Sequence, residues 1–122
     1  MDKITFLVAD TTIKQSIERT LWTYRDSFSP NSFTTEIVLI DFPRLVAQAS
    51  ALIRSGTKII ITNSGSHQIL SHAQDAHRLD MIPILCLYSS TNDALYTIRQ
   101  VPGHYKKIHL LLNKHFMFNS HA

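Results

Sequence analysis

The chain alternates short β-branched runs with amphipathic helical stretches, and this alternation restricts it to an α/β architecture with a parallel sheet covered on both faces. The first strand is expected at Ile4 to Ala9 and ends at Asp10-Thr11-Thr12. Thr12 and Gln15 have capping-box spacing, and Ile13, Ile17 and Leu21 recur at i, i+4 and i+8, which predicts a helix with one apolar stripe that stops near Tyr24. Asp26 to Ser32, with Pro30-Asn31 inside it, is a loop, and Thr35 to Ile40 is the second strand. Asp41 followed by Pro43 opens the next helix, since Asp accepts from early N–H groups and Pro tolerates the first turn. Leu45, Val46, Ala49, Leu52 and Ile53 form its apolar side, and Gly56 suits the position after its end, where a positive φ costs glycine nothing.

Lys58 to Thr62 is uninterrupted in the way a central strand buried on both faces should be, and it runs into Asn63-Ser64-Gly65-Ser66. A third helix is expected from about His67 to Ala76, and Met81-Ile82-Pro83 begins a fourth strand, with proline tolerated at its start. Ser89-Ser90-Thr91-Asn92-Asp93 closes that strand and caps a helix carrying Leu95 and Ile98, and Ile108 to Leu112 is a fifth strand. The expected fold is therefore α/β, a flavodoxin-like or Rossmann-like three-layer sandwich on a five-stranded, mainly parallel sheet. Residues 1–112 form one lobe and residues 113–122 a short tail that lacks the closing helix. The uncovered final strand is then an edge through which a homodimer could form, or the chain is part of a longer protein.

Composition narrows the function classes. At 44% hydrophobic and 17% charged residues the chain is ordinary globular material, and its longest apolar run, Ile82 to Tyr88, is strand-sized, so no membrane span is expected. Met1-Asp2-Lys3 leads into a strand without a signal-like segment, and Cys86 is the only cysteine, which excludes an internal disulfide and fits a cytoplasmic location. Cys86 lies in an apolar strand pattern and reads as a buried, inert thiol. The net charge is +3, but the Lys and Arg residues are scattered, without the stripe that direct nucleic-acid binding needs. His67, His72 and His77 are spaced by five residues, so their rings do not converge on a helix and no metal site is expected. No nucleophile elbow or paired carboxylates occupy a strand end, and neither an enzyme nor a cofactor is expected.

In an open parallel sheet, ligands bind beyond the carboxyl ends of the strands, near the point where strand order reverses. The candidate ligand-binding residues are therefore Asp10, Thr11 and Thr12, then Asn63, Ser64, Gly65 and Ser66, and finally Ser89, Ser90 and Thr91. In the Asn-Ser-Gly-Ser stretch, Gly65 permits a tight path and close approach, Ser66 can cap the following helix, and backbone N–H groups there can cradle an anion. The same residues also suit any tight βα turn. Asp10 can likewise orient a ligand or cap the first helix, and helix capping accounts for Ser89 to Thr91 about as well.

Ser55-Gly56-Thr57-Lys58-Ile59-Ile60-Ile61-Thr62-Asn63-Ser64-Gly65-Ser66, then Ile69-Leu70, Ile82-Pro83-Ile84 and Ser90-Thr91-Asn92-Asp93-Ala94-Leu95, resemble in order and spacing the N-terminal sensory domain of the propionate catabolism activator (PrpR) family. The resemblance runs from Leu45 to Ile98. It implies a sensory domain of a bacterial transcriptional regulator that binds a small polar or carboxylate metabolite and signals to sigma-54-type ATPase and DNA-binding domains outside these residues. Asn63-Ser64 stand where the family commonly has Arg-Gly, which removes a guanidinium and with it the expectation of an identical ligand. The alternative is a receiver-like protein-interaction module. Asp10, Ser89 and Lys114 stand roughly where a response-regulator receiver has its acid, hydroxyl and lysine, but position 63 is Asn rather than a phosphoacceptor Asp.

Overall fold

The computed structural model describes residues 2–23 and 33–87. The expected helix and strand after residue 87, the C-terminal tail, and Ser89, Ser90 and Thr91 lie outside the described residues. Within them the chain runs β1 (Asp2–Val8), α1 (Thr11–Thr23), β2 (Phe33–Leu39), a 3-10 turn (Phe42–Arg44), α2 (Leu45–Arg54), β3 (Thr57–Thr62), α3 (Ser64–Asp75) and β4 (Ile84–Cys86). The four strands form one parallel sheet in the order β2-β1-β3-β4.

That order explains the layers. The step from β1 to β2 moves one way across the sheet, whereas β2 to β3 and β3 to β4 move the other way. Right-handed crossovers then send α1 to one face and both α2 and α3 to the opposite one. The buried side chains agree. Ile17 of α1 packs in a cluster with Ile4, Phe6, Val8, Ile59, Ile61, Leu85 and Leu87, with Ile13 and Leu21 at its margin. Leu45 and Ala49 of α2 and Leu70 and Ala73 of α3 pack with Leu7, Ile60 and Ile84 on the other face. Burying a side chain such as Ile17 contributes about 1.5–3 kcal/mol.

β3 lies between β1 and β4, as its apolar sequence requires, but it begins one residue earlier than the pattern predicts. A register shift pairs Lys3 with Thr57 and Ile4 with Ile59. Lys58 is thereby exposed while Thr57 is buried, and the Thr57 hydroxyl hydrogen-bonds the Thr5 hydroxyl at 2.7 Å. This supplies a partner for each of two buried polar groups that would otherwise be costly. Gly56 follows α2 with a φ of +111°, the conformation expected for the residue after that helix.

Two helix ends differ from the sequence pattern. Asp41 precedes the 3-10 turn with Pro43 in it, yet its side chain makes no capping bond. Instead Gln48 on α2 reaches back: its amide nitrogen donates to the Leu39 carbonyl at 2.8 Å, and its amide oxygen accepts the Asp41 N–H at 3.0 Å. α3 ends without glycine, in a Schellman arrangement. His77 takes a φ of +58°, its N–H donates to the Gln74 carbonyl at 3.0 Å, and the Arg78 N–H donates to the Ala73 carbonyl at 2.8 Å.

Candidate functional site at the strand ends

β1 has β2 on one side and β3 on the other, so strand order reverses at the β1/β3 junction. α1 leaves that junction on one face of the sheet and α3 on the other. Asp10 and Asn63, the residues at the two helix starts, flank the resulting crevice.

Asp10 behaves as a helix cap. Its side-chain oxygen accepts the Ile13 N–H at 2.9 Å, and its carbonyl accepts the Lys14 N–H at 3.1 Å. α1 consequently begins at Thr11, and the capping box expected from Thr12 and Gln15 does not form; Thr11 and Thr12 are exposed first-turn residues. The N-terminus of α1 thus already carries a carboxylate, which complements its dipole.

Asn63-Ser64-Gly65-Ser66 is not a free turn followed by a helix at His67. Asn63 is the N-cap of α3, and Ser64, Gly65 and Ser66 form the helix's first turn. Gly65 does not have a positive φ, so the conformational reason for glycine is absent there. Among the described residues nothing beyond its own helix turn lies within 4 Å of where a Cβ would stand. Ser66 does not cap the helix either. It is 1% exposed, spaced with Leu70 and Ala73 on the apolar stripe of α3, and its hydroxyl has no hydrogen-bond partner among the described residues. Helical periodicity extended one turn towards the N-terminus would have exposed this, since positions 66, 70 and 73 share a face.

The Asn63 side chain is used across the sheet rather than along its own helix. Its oxygen accepts the Ala9 N–H at 3.1 Å, and it makes no capping bond to α3. Beneath it, the buried Thr62 hydroxyl donates to the Leu7 carbonyl, so the ends of β1 and β3 are joined twice by side chains. α3 has no acidic residue in its first turn. The two helix starts therefore contrast: α1's is occupied by Asp10, while α3 presents the first-turn N–H groups of exposed Ser64 and Gly65 without a side-chain acceptor among the described residues. Such a terminus favours an anionic or strongly accepting group.

His67, His72 and His77 do not converge. His67 bonds through Nε2 to the Ile84 carbonyl at 3.0 Å, His72 is exposed on α3, and His77 lies in its C-terminal cap. Among the described residues no group of three or more His, Cys, Asp and Glu is arranged to hold a metal ion. Cys86 is buried on β4, and no described helix is long and apolar enough to cross a membrane. No family model, curated protein or solved structure matches the chain.

Proposed function

We propose that the chain is a signal-receiving domain: a five-stranded flavodoxin-like lobe that binds a small polar or carboxylate metabolite in the crevice between the ends of β1 and β3. The observation that carries this reading is the first turn of α3, which no side chain among the described residues caps, at the reversal of strand order and next to an amide, Asn63, committed to holding the crevice together. A carboxylate there gains about 0.3–1 kcal/mol from the helix dipole and more when partly buried. The resemblance to the propionate catabolism activator family points the same way, with ATPase and DNA-binding domains of a cytoplasmic regulator as the recipients of the signal.

Thermal denaturation against a panel of small carboxylates, phosphates and sugars tests the reading. A ligand at a hundred times its Kd adds about 2.7 kcal/mol to stability, which raises Tm by several degrees. Gly65→Val puts side-chain atoms into the open space above the first turn. The variant should melt like the parent without ligand and lose the ligand-induced shift. A panel without any shift rejects the proposal.

One observation favours a receiver-like interaction module as the second reading. Asn63 directly follows β3 and is bonded to the residue before Asp10, so the positions of a receiver's acidic cluster are adjacent in space. Incubation with acetyl phosphate and intact-mass analysis tests for a working receiver: with Asn at position 63 neither reading expects a mass shift, and covalent phosphorylation of an Asp would overturn the sensor reading.

A further inference from the structure

We draw no further inference here: the strongest candidate, the groove of about 450 Å³ along α3 lined by His67, Gln68, Ser71, His72 and Asp75, carries nothing because His67, His72 and Asp75 are not arranged to hold a metal ion and nothing among the described residues shows what covers it.

Discussion

The side-chain oxygen of Asn63 accepts the backbone N–H of Ala9 at 3.1 Å, so the amide that begins α3 also holds the end of β1. Asn63→Ala removes this bond at a partly exposed site and should cost about 0.5–1.5 kcal/mol. The Ala9 amide should exchange faster in that variant by NMR, while Asn63→Asp, which keeps an acceptor, should preserve its protection. Unchanged exchange in Asn63→Ala would mean the bond does not constrain the crevice.

Ser66 is a polar residue in an apolar position. Its hydroxyl is buried without a partner among the described residues, and such a group costs about 1–3 kcal/mol. Ser66→Ala should therefore raise the urea midpoint at constant m-value. It should also leave the ligand-induced thermal shift intact, because this hydroxyl is inaccessible from the crevice.

His77 ends α3 in a left-handed conformation at φ +58°, which costs a non-glycine residue about 1–2 kcal/mol. His77→Gly should raise Tm by a few degrees, the reverse of the usual effect of introducing glycine. Gly56→Ala, at φ +111°, should lower it.

Gln74 is 8% exposed and donates through its amide nitrogen to the Asp80 carbonyl at 2.9 Å and the Ile82 carbonyl at 3.0 Å. Gln74→Met retains the volume and leaves both carbonyls without that donor. A loss of about 1–3 kcal/mol is expected in chemical denaturation.

Gln48→Ala uncovers the Leu39 carbonyl and the Asp41 N–H at the end of β2, which among the described residues has no strand on its outer side. Light scattering on concentrated samples should show more association than in the parent. An unchanged profile would show that the Gln48 amide is not needed to close this edge.

Much of the secondary structure was legible because each stripe records one buried face. Ile13, Ile17 and Leu21 mark α1, and Leu45 and Ala49 mark α2, where the spacing predicts them. The errors fall where one side chain had two possible uses. Asn63 to Ser66 reads as a turn before a helix at His67, but α3 starts at Ser64 and Ser66 packs towards the sheet. Asp41 looks like a cap, but Gln48 takes the neighbouring backbone groups first. Of the candidate site, Asp10, Thr11, Thr12, Asn63, Ser64 and Gly65 lie at the strand ends, and Ser66 turns away.

By itself the sequence determined that strands alternate with helices, that β3 is central, and that Gly56 is needed after α2, because periodicity and local backbone preference act within a few residues. Only the tertiary structure decided the order β2-β1-β3-β4 of the described strands, and with it the pairing of Asn63 with Ala9. Periodicity states which face of an element is buried; it does not state which strand lies beside it. Neighbours follow from crossover direction and from which apolar faces close the two sides of the sheet, and both depend on residues far apart in the chain.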